Sequence, residues 1–136
     1  HRAAAQKWRR FGCSVSLNDI TLLMMPDTKS SQTAFPQQGA QKAELGFPIC
    51  RLLAVSCHHT GVILHAVVGP FKGKGSDEQS LLRQVLDTFQ TGSVVVGDAF
   101  FGTYFLLVEM LKRGVDVFFE QHGRRKRITD FGKGIA

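Results

Sequence analysis

Two aspartates stand where a carboxylate is costly. Asp98 closes the apolar run "SVVVGD", just before a helix-like stretch, and Asp19 lies in the middle of a β-rich run over residues 13–25. A carboxylate in or beside a buried strand needs a hydrogen-bond donor, a basic side chain or a metal ion. If the two runs form adjacent parallel strands, the carboxylates come side by side at one edge of a sheet. Like charges there repel, and one takes up a proton unless a divalent cation lies between them. Paired carboxylates with open coordination positions suit Mg²⁺ (or Mn²⁺), which keeps waters and accepts phosphate oxygens. Two such ions about 3.5–4 Å apart stabilise both the attacking and the leaving oxygen of a phosphoryl displacement. The alternative for Asp98 is an N-cap of the following helix, although Thr103 is better placed for that.

Other reactive residues form weaker patterns. Asp27, after Pro26, reads as an Asx-turn. Cys57, His58, His59 and His65 flank a hairpin turn, but alternation splits them between two faces, so neither face collects four zinc ligands. "GPFKGKGS" misses the P-loop spacing because Lys74 occupies the position of the second glycine. It reads as a turn whose Lys72 and Lys74 either touch phosphate or merely solvate the loop. Phe100, Phe101, Tyr104 and Phe105 suit stacking on bases, but their spacing before a helix favours the core.

These residues are positioned by a β-β-β-α-β-α-β order. The first strand is closed by Pro26, and residues 27–48, polar and holding Pro36, Gly39, Gly46 and Pro48, read as a long loop. "ICRLLAVSC" and "VILHAVV" form a hairpin around Thr60-Gly61. Ser76 with Gln79 reads as a capping box, with Asp77 and Glu78 at the positive end of the helix dipole. Leu81, Leu82, Val85, Leu86 and Phe89 share one helical face, and Gly92 stops the run. "SVVVGD" has the β-branched content of a strand buried on both faces. A helix over "TYFLLVEMLKRG" and a strand over "VDVFFEQ" follow. Residues 1–12 read as a linker or helix tail, and 13–136 as one domain.

The 136 residues carry a net charge of +6, and eleven of the 17 basic side chains gather toward the ends. Arg2, Lys7, Arg9 and Arg10 lie at one end. Lys112, Arg113, the run Arg124, Arg125, Lys126, Arg127, and Lys133 lie toward the other. Basic ends fit a polyanion such as nucleic acid, or two solvated termini. Three cysteines without CxxC spacing argue against a disulfide framework and fit a reducing cytoplasm. No apolar run has the length of a membrane span. Both ends read as cut, so a fragment of a longer protein is expected.

"SLNDITLLMMPDT", "GFPICRLLAVSCHHTGVILHAVVGPFKGKGSDE", "VVVGDAFFGTYFLL" and "RGVDVFFEQHGRRKRITDF" resemble the DDE transposases of bacterial insertion sequences, closest to the insertion-sequence-four group. The resemblance covers nearly everything from Val15 to Phe131. It implies an α/β, RNase H-like mixed sheet, incomplete at the C-terminus, and an amino-terminal and central part of a catalytic domain. The implied reaction is metal-dependent phosphoryl transfer on DNA: water cleaves a phosphodiester at the transposon end, and the freed 3′-hydroxyl attacks target DNA. Asp19 would hold two metal ions and Asp98 one, with Lys72, Lys74, Arg124, Arg125, Lys126 and Arg127 on phosphates. It further implies a bacterial, nucleoid-associated protein of the cytoplasm, with room for a homodimer in the full-length form. The family's Asp-Gly-Thr-Thr is here Asp19-Ile20-Thr21-Leu22, and its arginine after the second aspartate is Ala99. Its third acid, a glutamate in a Tyr-Arg-Glu-Lys-type helix, lies beyond where the sequence stops, and neither Glu109 nor Glu120 has that pattern. This leaves catalysis by the fragment open. The alternatives are a non-catalytic DNA-binding remnant, or a different metal nuclease on the same fold.

Overall fold

The computed structural model of the protein describes residues 14–40, 42 and 45–120. The expected tail over residues 1–12, Cys13, the basic run Arg124, Arg125, Lys126, Arg127, and Lys133 lie outside them. Strand β1 (Ser14–Met24) is followed by a short helix α1 (Lys29–Ala34), then β2 (Ile49–Cys57) and β3 (Ile63–Pro70). Helix α2 (Glu78–Arg83) and a 3₁₀ turn (Leu86–Thr88) lead to β4 (Ser93–Gly97), α3 (Tyr104–Lys112) and β5 (Asp116–Phe119). The sheet order is β3-β2-β1-β4-β5. β1 is central, antiparallel to β2 and parallel to β4, and β4 is parallel to β5. The two parallel connections run through α2 and α3, as crossovers require.

Alternation divides the sheet into two unlike faces. On one, Leu53, Val55 and Val95 pack with Leu81, Leu82, Val85, Leu86, Phe101, Leu106, Met110 and Val115 in a single core. Each such aliphatic side chain, fully buried, contributes roughly 1.5–3 kcal/mol. On the other face Leu17, Leu52, Val94 and Val96 are only half-buried. β4 is therefore buried on one face and not, as its composition suggested, on both.

Local chemistry also moves two element boundaries. The segment read as a loop contains α1, because the Thr28 hydroxyl accepts from the Ser31 N–H at 3.1 Å and caps it. The next helix starts one residue later than expected. Asp77 is its N-cap, accepting from the Ser80 N–H at 2.9 Å, while the Ser76 hydroxyl donates to the Gly73 carbonyl at 2.7 Å. That helix ends at Arg83, and the tighter 3₁₀ turn keeps Leu86 on the core. The β2–β3 hairpin forms with Gly61 at φ +66° and a bulge between Val55 and Ser56. Cys50 and Cys57 are buried free thiols. No described helix is long and apolar enough to cross a membrane.

Candidate active site

The β1–β4 ladder pairs Ser14 with Ser93 and runs to Leu17 opposite Val96. Continued by two residues, the same register sets Asp19 level with Asp98, where β4 has just ended. Both carboxylates are exposed. Each spends one oxygen on a neighbouring main-chain donor. The Ile20 N–H donates to Asp19 Oδ1 at 2.8 Å, and the Phe100 N–H donates to Asp98 Oδ1 at 2.9 Å. The second oxygen of each has no hydrogen-bond partner among the described residues.

Asp98 thus makes an Asx-type turn within its own loop and does not cap α3. Thr103 occupies the N-cap position but makes no side-chain capping bond. That corrects the capping alternative for Asp98, and it leaves the Thr103 hydroxyl buried without a hydrogen-bond partner among the described residues.

A third acid stands near Asp98. Glu78, in the first turn of α2, lies 3.6 Å from the Arg51 guanidinium, with both side chains about three-quarters covered (23% exposed each). Burial raises the Glu78 carboxyl above its ordinary range, the negative charge of Asp98 adds to the rise, and Arg51 opposes it. Arg51 also stacks over the Phe71 ring, 5.4 Å from its centroid. Glu78 had been read only as a complement to the helix dipole. The signal able to reveal it, unused above, is Arg51, a cation inside the apolar run "ICRLLAVSC" that must meet an anion somewhere.

Two further acids are committed elsewhere. Glu109 is held by Lys112 at 3.0 Å and Arg113 at 2.8 Å, and those hydrogen bonds lower its carboxyl pKa. Asp27 accepts from the Gln32 side-chain amide at 2.8 Å, a local tie to α1 and not the expected Asx-turn. Among the described residues no three His, Cys, Asp or Glu side chains gather as a metal-binding group, which covers the histidines around the hairpin as well.

Lys72 and Lys74 sit exposed on the β3–α2 turn, with no ion pair among the described residues. The aromatic run divides. Phe101 is 1% exposed and belongs to the core, whereas Phe100, Tyr104 and Phe105 are 56%, 74% and 72% exposed. The expectation that these rings are core residues holds for Phe101 alone.

With this geometry in view, two solved structures are similar in fold. One is the piggyBac transposase synaptic complex with hairpin DNA, at TM-score 0.55 and 8% identity, over 83% of this chain and 24% of that one. The other is the simian T-cell lymphotropic virus intasome in complex with PP2A regulatory subunit B56 gamma. It matches at TM-score 0.50 and 12% identity, over 79% of this chain and 31% of that one. The chain therefore spans about a third or less of the proteins it resembles. No protein-family profile and no curated protein matches the sequence. The mixed five-stranded sheet, with its central strand antiparallel to one neighbour and parallel to the other, is an RNase H-like α/β fold.

Proposed function

We propose that this chain carries two acidic residues of a metal-dependent phosphoryl-transfer site acting on DNA, of the DDE transposase type found in bacterial insertion sequences. The observation that carries the reading is the level position of Asp19 and Asp98 on adjacent parallel strands, each with an uncommitted carboxylate oxygen. Hard oxygen donors that no thiol or imidazole joins in a metal-binding group among the described residues match Mg²⁺ or Mn²⁺, which bind through one or two carboxylates and keep waters for substrate oxygens. Asp19 and Asp98 would hold the ion, and the chemistry it supplies is charge stabilisation at the reacting phosphate. Lys72 and Lys74 would meet backbone phosphates, and Arg124, Arg125, Lys126 and Arg127 extend the same role by sequence. DNA as partner is further supported by the fold likeness to a transposase and an intasome.

One observation favours a second reading, a DNA-binding remnant that cuts nothing: no three His, Cys, Asp or Glu side chains gather as a metal-binding group among the described residues, and Glu78 is engaged by Arg51. Calorimetry with Mg²⁺ and Mn²⁺ on the parent, Asp19→Asn and Asp98→Asn decides the metal question. Binding by the parent that each variant loses supports the metal site. Absence of binding by the parent, with DNA affinity unchanged in both variants, supports the remnant.

A further inference from the structure

Strands β1, β3, β4 and β5 all run toward one side of the sheet, with β2 alone against them, and β3 reaches further than β4: Pro70 is level with Leu23 through Cys50, whereas Val96 is level with Leu17. Two loops leave on that side: the β3–α2 turn with Lys72 and Lys74, and the β4–α3 loop with Asp98 and Phe100. They are joined where the Gln79 side-chain amide donates to the Phe100 carbonyl at 3.4 Å. Immediately after the second loop, Tyr104 and Phe105 open α3 as an edge-to-face pair with ring centroids 5.6 Å apart. Both rings are about three-quarters exposed, at 74% and 72%. Two large rings in contact with each other and with water form an aromatic patch open to a ligand.

We propose that the Tyr104–Phe105 pair is a stacking platform for an unpaired nucleobase, whose flanking phosphates are met by Lys72 and Lys74 and whose strand lies across the Asp98 loop. The inference rests on the DNA reading above and names the form of DNA that the site takes. Charge and shape both favour that occupant over a protein. The cations of the first loop have no carboxylate partner among the described residues and so remain available to an anion. Aromatic rings and lysines on two loops joined through Gln79 are the elements that single-stranded nucleic acid uses: bases on the rings, phosphates on the lysines. Paired bases inside a duplex present only their edges, so the platform discriminates against blunt DNA.

The test compares fluorescence anisotropy of a blunt duplex with that of the same duplex bearing a four-nucleotide single-stranded tail, using the whole chain. The tail carries 2-aminopurine as a reporter of stacking. The parent is expected to bind the tailed DNA more tightly and to quench the 2-aminopurine. Tyr104→Ala/Phe105→Ala, at exposed positions that leave the core intact, is expected to lose about tenfold on the tailed DNA and the quenching with it. Affinity for the blunt duplex should remain at the parent level. Equal affinities for both DNAs in the parent, with quenching absent, overturn the platform and leave the DNA reading standing. Binding to neither DNA overturns both. A double variant that changes sedimentation behaviour, but not the preference for tailed DNA, assigns the patch to an interface between copies and likewise overturns the proposal.

Discussion

Glu78 shows how the environment of one side chain sets a pH dependence. Its carboxyl is raised by burial first and by the Asp98 charge second, and the Arg51 ion pair does not fully offset them. A carboxyl with a raised pKa binds more protons in the folded than in the unfolded chain. Stability therefore falls as pH rises from the ordinary value of 4.5 through the raised folded value. Glu78→Gln is expected to flatten thermal stability over that window and to unfold at no lower temperature near neutrality. Asp98→Asn should bring the Glu78 carboxyl back toward its ordinary range, as read by carboxyl NMR titration. A Glu78 titration unmoved by Asp98→Asn shows that the two side chains do not sense each other. Asp19 and Asp98 were legible in sequence because a charge inside an apolar run announces itself. Glu78 was not, because its meaning comes from Arg51 and Asp98, which lie 27 positions before it and 20 after it in the chain.

At the scale of the element, the five strands were legible from β-branched runs ended by proline, glycine and turn residues, and the parallel crossovers from strand–helix–strand order. Helix limits were less so. Ser76 and Asp77 both have capping side chains, and only the Ser76 bond to Gly73 decides that Asp77 takes the cap. Gly97 ends β4 for a reason that spacing cannot reveal. A Cβ there would lie 2.9 Å from Phe101 Cδ2 and 3.1 Å from Phe119 Cε1. The missing side chain lets the two rings meet across the strand end, with centroids 6.0 Å apart. Gly97→Ala must displace the buried Phe101 ring, so it is expected to cost about 1–3 kcal/mol, measured as a lower urea midpoint. Because Phe101 sits in the loop that carries Asp98, the same variant should weaken Mg²⁺ binding if Asp98 holds the ion. A normal midpoint would mean that the rings have room to give.

Across the whole molecule, the sheet separates what packs from what faces outward. The core covers one face, while half-buried valines and leucines line the other. From sequence a β-branched strand half-covered on one side reads the same as one buried on both, which is why β4 was misjudged. Charge follows a different logic, since Lys72 and Lys74 lie on the β3–α2 turn and the denser basic run follows β5 in sequence. A likeness in fold at 8% and 12% identity fixes the backbone and not the chemistry, so the contribution of each basic group to DNA binding has to be read from the chain itself. Counterion release supplies the measure, because log K falls against log[salt] with a slope of about −0.9 per phosphate neutralised on duplex DNA. Lys72→Gln/Lys74→Gln is therefore expected to make that slope shallower by roughly 1.8, and replacing Arg124, Arg125, Lys126 and Arg127 together by as much as roughly 3.6. Asp19→Asn should leave the slope measured without divalent ions close to the parent's, since no phosphate contact is lost. If the lysine pair lowers affinity without changing the slope, it acts by shaping the β3–α2 turn and not by meeting phosphate. The basic run after β5 would then carry the electrostatic part of binding alone.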